Sequence, residues 1–113
     1  MAFDRSKVKV TRRMDVRSLI FGYSIARFHV EDGELLIGTW TLPPGAKGDV
    51  DPAHPFGEVF IITQGRMIVH LPEKDEFYEV EAGDSIYVPP GLKHSLYNDG
   101  ETTASSVFVI LNK

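Results

Sequence analysis

The stretch GDSIYVPPGLKHSLYN, residues 83–98, decides the fold of this chain of 113 residues. It places Gly83, Pro89, Gly91, His94 and Asn98 at the spacing G-x5-P-x-G-x2-H-x3-N. Glycine tolerates the backbone angles of tight turns and proline interrupts strands, so the stretch predicts a turn, a short strand, a sharp bend and a second short strand. His94 then stands at the start of the second strand, and Asn98 is predicted to be a turn residue.

The segments around this stretch also indicate short strands separated by turns. Asp32-Gly33 separates the β-rich runs YSIARFHVE (23–31) and ELLIGTWTL (34–42), which is a strong signal for a β-hairpin. About nine short strands without a long helical period predict an all-β sandwich or barrel. Other runs rich in β-branched and aromatic residues occupy residues 58–64, 66–71, 77–82 and 103–111.

The N-terminal thirty residues differ in charge from the rest of the chain. They carry seven basic and two acidic side chains, a net charge of +5, whereas the whole chain carries −4, so the remainder sums to −9. This asymmetry predicts an N-terminal arm over residues 1–22, with a weakly alternating strand VKVT at 8–11, followed by a barrel domain over residues 23–113. The arm is expected either to be a solvated strand or to lie across the acidic body of a second subunit in a homodimer.

Composition narrows the class of function. The net charge of −4 argues against a nucleic-acid partner. The absence of cysteine excludes disulfides, thiolate zinc sites and cysteine nucleophiles. Neither an apolar leader nor a run of about 20 apolar residues is present, so we expect a cytoplasmic protein with no membrane partner.

A second stretch, HPFGEVFIITQG at residues 54–65, carries the other candidate chemistry. Side chains alternate between the two faces of a strand, so His54 and Glu58 are expected to share a face with apolar neighbours. Polar groups among inward-facing apolar residues are costly unless they bind something. Two imidazoles, from His54 and His94, and one carboxylate suit a transition-metal site. The alternative is that the histidines are hydrogen-bonded structural residues and that Glu58 pairs with another donor.

Together the two stretches resemble the two signature motifs of the cupin superfamily. The resemblance implies a small single-domain, double-stranded β-helix or jelly-roll barrel, with a divalent metal ion (Fe, Mn, Zn, Ni or Cu) held by His54, Glu58 and His94. The first motif of the family has one further histidine, and Pro52 stands at its place in this chain. Asp51 is a further candidate ligand, and water or substrate could also take that position.

The resemblance leaves two classes of function open. One is a metal-dependent enzyme acting on a small polar organic molecule, with dioxygenase chemistry favoured slightly over isomerase or lyase chemistry because a 2-His-1-carboxylate set is typical of oxygen activation. The other is a non-enzymatic protein that binds a small molecule in a metal-free pocket. The expected pocket residues are Phe56, Phe60, Ile62, Leu96 and Phe108, with the hydroxyl of Tyr87 as an addition.

Overall fold

The protein is a two-sheet β-structure in a computed structural model that describes residues 6–32, 35–48 and 55–111. A 3-10 turn at Arg13–Asp15 precedes the first strand. The nine strands are β1 (Arg17–Phe21), β2 (Ser24–Glu31), β3 (Leu35–Leu42), β4 (Gly57–Gln64), β5 (Arg66–Leu71), β6 (Glu76–Glu81), β7 (Ser85–Val88), β8 (Ser95–Tyr97) and β9 (Ala104–Leu111).

The strands form a six-stranded sheet in the order β1-β2-β3-β9-β4-β7 and a three-stranded sheet in the order β6-β5-β8. All the strand pairs are antiparallel, and strands distant in sequence, such as β3 and β9, lie side by side. This topology confirms the predicted all-β jelly-roll barrel. Within the described residues, no helix is both long and apolar enough to cross a membrane.

The hairpin predicted at Asp32 is confirmed. The backbone N–H of Asp32 donates to the carbonyl of Leu35 at 3.0 Å, and its carboxylate accepts from the backbone N–H of Leu35 at 2.7 Å. The turn therefore closes through both the main chain and the acidic side chain. The second turn residue, Gly33, lies outside the described residues.

The N-terminal segment differs from the prediction. VKVT at 8–11 is not a strand, whereas residues 17–21, inside the predicted arm, form β1 and pair with β2 of the same chain. The guanidinium of Arg17 explains part of this pairing, because it lies 4.3 Å from the ring centroid of Phe28 and 2.7 Å from a carboxylate oxygen of Glu31. The arm in the described part of the chain is therefore limited to residues 6–16.

Aromatic side chains fill the space between the sheets. Phe108 packs edge-on against Phe28 and Trp40, with both pairs of ring centroids 5.8 Å apart. Gly38 lies opposite Phe108 on the neighbouring strand, and a Cβ atom there would lie 2.6 Å from the ring of Phe108. A Cβ would also clash with the backbone carbonyl oxygen of Arg27 on β2, so a glycine is needed at this position of β3. Phe60 on β4 also contacts Trp40, so the aromatic core extends to that strand.

Candidate metal centre

Glu58 is a buried carboxylate on β4. Strand alternation turns Glu58, Phe60 and Ile62 toward the inside, where each is at most 1% exposed. A carboxylate at such a position requires a donor or a cation, because an ionised group without one is strongly disfavoured away from water. The surrounding apolar strand thus holds one polar group in a defined place.

His94 lies at the entrance to β8 and is fully buried. The bend before it contains Gly91, whose φ of +82° is in the left-handed region that favours glycine. The bend brings Nδ1 of His94 to 3.1 Å from the backbone carbonyl of Leu92. The ring also packs edge-on against Phe60, with centroids 5.9 Å apart. The imidazole is therefore oriented from two sides.

The two motifs meet at one contact, in which Nε2 of His94 lies 3.0 Å from Oε1 of Glu58. A backbone carbonyl only accepts hydrogen bonds, so the Nδ1 atom that faces Leu92 carries a hydrogen. In a neutral imidazole Nε2 then presents a lone pair, and so does the carboxylate oxygen opposite it. The contact is favourable only when a proton or a metal ion lies between these two acceptors.

This donor pair fits a divalent metal ion. Imidazole nitrogen and carboxylate oxygen bind first-row metals at about 2.0–2.2 Å, and two such donors at right angles lie about 3.0 Å apart. A metal-bound histidine almost always donates its other N–H to a carbonyl or carboxylate, which is what Nδ1 of His94 does toward Leu92. Glu58 and His94 therefore have the spacing and the tautomer of two ligands to one ion.

A protein-family model described as "Cupin domain" matches residues 38–110, a range that includes Glu58 and His94. The chain belongs to the cupin family. The matched segment begins within β3 and ends within β9, and the match agrees with the resemblance inferred from the sequence. It establishes the fold and the family, and leaves the reaction open.

Proteins similar to this cupin include a sequence relative and solved structures of the same fold. An uncharacterized protein of Methanocaldococcus jannaschii is 34% identical over 59 residues, which are 52% of this chain and 46% of that protein. The alignment thus spans less than half of the relative's length. A predicted oxalate decarboxylase from Thermotoga maritima superposes with a TM-score of 0.78 at 19% identity, over 93% of this chain and 100% of that one. FeII HppE superposes with a TM-score of 0.80 at 14% identity, over 98% of this chain and 63% of that one. At these identities the structural likeness shows the shared fold.

The remaining ligands expected from the sequence, His54 and Asp51, lie outside the described residues, as does Pro52. Within the described part of the chain, no group of three or more His, Cys, Asp or Glu side chains is arranged to hold a metal ion. The two expected ligands that are described, Glu58 and His94, are in direct contact. The three-residue ligand set of this cupin therefore stays a prediction.

The expected pocket residues fall into two groups. Phe60, Ile62, Leu96 and Phe108 are buried inside the barrel, and Phe56 is half-buried. Tyr87 lies elsewhere: it is 60% exposed and pairs with Val59, on the face of the sheet opposite to Glu58. Its hydroxyl therefore belongs to the outer surface of the cupin barrel.

Two features of the site have no obvious signal in the sequence. The carbonyl of Leu92, which sets the tautomer of His94, belongs to the main chain and could be inferred only from the tightness of the bend. The contact between Phe60 and His94 joins residues 34 positions apart in the sequence, so only the fold reveals it.

Asn98, by contrast, has the structural role predicted for it. It is buried, and its NH2 group donates to the carbonyls of Leu42, Pro43 and Thr102 at 3.1, 3.2 and 2.8 Å. Its side-chain oxygen accepts from the N–H of Gly100 at 2.9 Å. Asn98 therefore joins the end of β3 to the loop between β8 and β9 and stabilises the framework of the barrel.

Proposed function

We propose that this cupin is a metal-dependent enzyme that acts on a small polar organic molecule. The observation that carries the proposal is the buried contact of 3.0 Å between Nε2 of His94 and Oε1 of Glu58. Both atoms are acceptors when the imidazole is neutral, because Nδ1 already donates to Leu92. A divalent cation between them satisfies both and would account for a carboxylate buried among phenylalanines.

Each residue has a distinct role in this proposal. Glu58 supplies negative charge and His94 supplies a neutral nitrogen donor, while His54 is the proposed third ligand. The carbonyl of Leu92 and the ring of Phe60 hold the imidazole of His94 in its orientation. A bound metal ion would act as a Lewis acid or an oxygen-activating centre. The apolar side chains around it would exclude water and bind the non-polar part of a substrate.

The expected set of two histidines and one carboxylate favours oxygen chemistry over isomerase or lyase chemistry, because such sets leave positions open for substrate and dioxygen. The fold is shared with FeII HppE and with a predicted oxalate decarboxylase. These likenesses support a metal-dependent enzyme and fit more than one reaction class. Dioxygenase-like activity is therefore the favoured form of the proposal.

A second candidate function is metal-free binding of a small molecule. The contact between Glu58 and His94 is also compatible with this function. A proton shared between the two side chains would satisfy both acceptor atoms without a metal ion. The apolar residues Phe60, Leu96 and Phe108 would then hold the ligand, while the polar pair orients it.

Metal analysis of the full chain, purified without chelator, separates the two functions. The enzyme proposal expects about one metal ion per chain. A His94→Ala variant should lose this ion while it keeps the β-sheet circular dichroism spectrum. The matched control is His70→Ala, because His70 is half-buried and stacked on Phe77, on the outer face of the three-stranded sheet. Oxygen uptake with candidate small polar acids then tests the reaction.

Either of two results would contradict the enzyme proposal. One is a wild-type protein that binds no divalent metal at micromolar concentrations. The other is a His94→Ala variant that retains one ion per chain.

A further inference from the structure

The outer face of the three-stranded sheet carries a pocket of about 320 Å³ that shares no residue with the candidate metal centre. Met67 and Val69 on β5 are fully buried in the core, so alternation along the strand turns Ile68 and His70 outward. The pocket therefore lies on the opposite side of this sheet from Glu58 and His94. Its lining residues are Lys47, Ile68, His70, Phe77 and Tyr97.

The strand register brings these five residues together from distant parts of the chain. Lys47 pairs with Tyr97 on β8, and Tyr97 pairs with Ile68 on β5. His70 lies two residues further along β5 and pairs with Phe77 on β6. Diagonal neighbours on one face of a sheet are about 7–8 Å apart, within reach of aromatic side chains. Ile68 is thus surrounded by rings, with a lysine at the end of its row.

Flat rings make up most of the wall of this pocket. The rings of His70 and Phe77 are stacked, with centroids 4.2 Å apart and planes 6° from parallel. Phe77 is 63% exposed, so this stack has room for another ring. Packing between rings contributes more than the buried area alone. Pockets for small molecules begin at about 300 Å³, so a small ligand with a planar apolar part suits this one.

The polar groups at the pocket all have a hydrogen to donate. They are the ammonium of Lys47, the hydroxyl of Tyr97 and the imidazole of His70. Within residues 6–32, 35–48 and 55–111, these three side chains make no hydrogen bond or ion pair. Donors without acceptors beside an apolar surface favour a ligand that brings an acceptor, and the charge of Lys47 favours an anionic one.

Two carboxylates close to the pocket are held by Arg66. Glu79 pairs with Ile68 across β5 and β6, and Asp99 follows Tyr97 by two residues. The guanidinium of Arg66 lies 3.5 Å from a carboxylate oxygen of Glu79 and 2.9 Å from one of Asp99. Arg66 therefore reduces the competition of these carboxylates with a ligand for Lys47.

We propose that this pocket binds a small aromatic carboxylate. The ligand ring packs against Ile68 and the stacked pair of His70 and Phe77. Its carboxylate accepts hydrogen bonds from the ammonium of Lys47 and the hydroxyl of Tyr97. The site is separate from the proposed metal-dependent activity, because it lies outside the barrel.

Titration with benzoate, followed by two-dimensional amide NMR spectra of the full chain purified without chelator, tests the proposal. Saturable shifts are expected at the amides of Lys47, His70 and Phe77, with a dissociation constant of about 1 mM or below. Benzamide has nearly the same shape without the charge and should bind at least about 10-fold more weakly. Cyclohexanecarboxylate keeps the charge without the flat ring and should bind at least about 3-fold more weakly.

Substitutions identify the groups that bind benzoate. Lys47→Met keeps most of the apolar stem and should raise the dissociation constant at least about 10-fold. The matched control is Lys74→Met, which makes the same change at an exposed lysine between β5 and β6 and should leave the affinity unchanged. Tyr97→Phe removes only the hydroxyl and should raise the constant about 3-fold.

The variant His94→Ala separates this site from the metal centre, where a carboxylate could also bind. It should leave the affinity for benzoate unchanged. Loss of benzoate binding in His94→Ala would overturn the proposal and would support the metal centre. Three other results would also overturn it: no saturable shift up to about 20 mM benzoate, equal affinity for benzamide, or an affinity unaffected by Lys47→Met. Shifts of the same amides with protein concentration alone would show that a second copy fills the pocket, which would contradict the proposal.

Discussion

The variant Glu58→Gln distinguishes two roles of the Glu58 side chain, which are metal binding and packing in the barrel interior. The carboxamide has nearly the same shape, and its NH2 group can donate to Nε2 of His94 while Nδ1 continues to donate to Leu92. The variant therefore keeps a satisfied buried contact and loses one negative charge. In the presence of chelator, we expect its free energy of unfolding to lie within about 1 kcal/mol of the wild-type value.

The effect on metal-linked stability should be much larger. At a free metal concentration about 100 times Kd, binding stabilises the wild-type protein by about 2.7 kcal/mol. An unfolding entropy of about 2.1 cal/mol/K per residue gives about 0.24 kcal/mol/K for 113 residues, so the Tm should rise by about 11 °C. Substitution of residues that only hydrogen-bond to a metal ligand lowers metal affinity 10–100-fold. Removal of the charge of the ligand itself should therefore lower the affinity by at least about 100-fold. The same metal concentration would then add about 0.4 kcal/mol, or about 2 °C.

Thermal unfolding followed by circular dichroism measures both quantities. Wild type and Glu58→Gln are each heated in chelator and in Mn²⁺, Ni²⁺ or Zn²⁺. The control is Glu79→Gln, because the Glu79 carboxylate is 65% exposed on β6 and its removal should leave the rise of about 11 °C unchanged. A full metal-induced rise in Glu58→Gln would refute the inference that the carboxylate binds the ion.

Three substitutions test the framework, each by urea unfolding. Phe108→Ala should destabilise the protein by about 3–5 kcal/mol, because it removes a buried ring that contacts two other aromatic side chains. Gly38→Ala should cost at least about 1–3 kcal/mol, since the new Cβ would clash with the backbone carbonyl oxygen of Arg27 and lie 2.6 Å from the Phe108 ring; an unchanged midpoint would show that both neighbours yield without cost. Asn98→Asp keeps the acceptor for Gly100 and removes the NH2 donors to three carbonyls, so a loss of about 1–3 kcal/mol is expected; a loss below about 0.5 kcal/mol would contradict the joining role of the amide.

The fold could be predicted largely because its turns carry local signals. Asp32 closes a hairpin through its own side chain, and Gly91 adopts a positive φ in the predicted bend. The N-terminal strand is absent from the predicted set, although its turn carries a local signal. Phe21 pairs with Ser24 across a two-residue turn in which Gly22 has a φ of +59°. The contacts of Arg17 with Phe28 and Glu31 add to this pairing, and no local pattern shows them.

The candidate site was only partly accessible from the sequence. Alternation along β4 correctly puts Glu58 on the same side as Phe60, because that strand is long enough to define its inward face. Strand β7 has four residues, and the position of Tyr87 two residues before the double proline does not show which way its ring points. The register with β4 decides it, since Tyr87 pairs with outward-facing Val59.

The hydrogen bond between His94 and Leu92 has a consequence for how the site forms. It spans two residues, whereas the contact between His94 and Glu58 spans 36. The bend can therefore select one imidazole tautomer by local interactions, at little entropic cost, before the two sheets have closed. The imidazole is thus preorganised by its own loop. Substitutions elsewhere in the barrel should therefore leave unchanged which nitrogen His94 directs at Glu58.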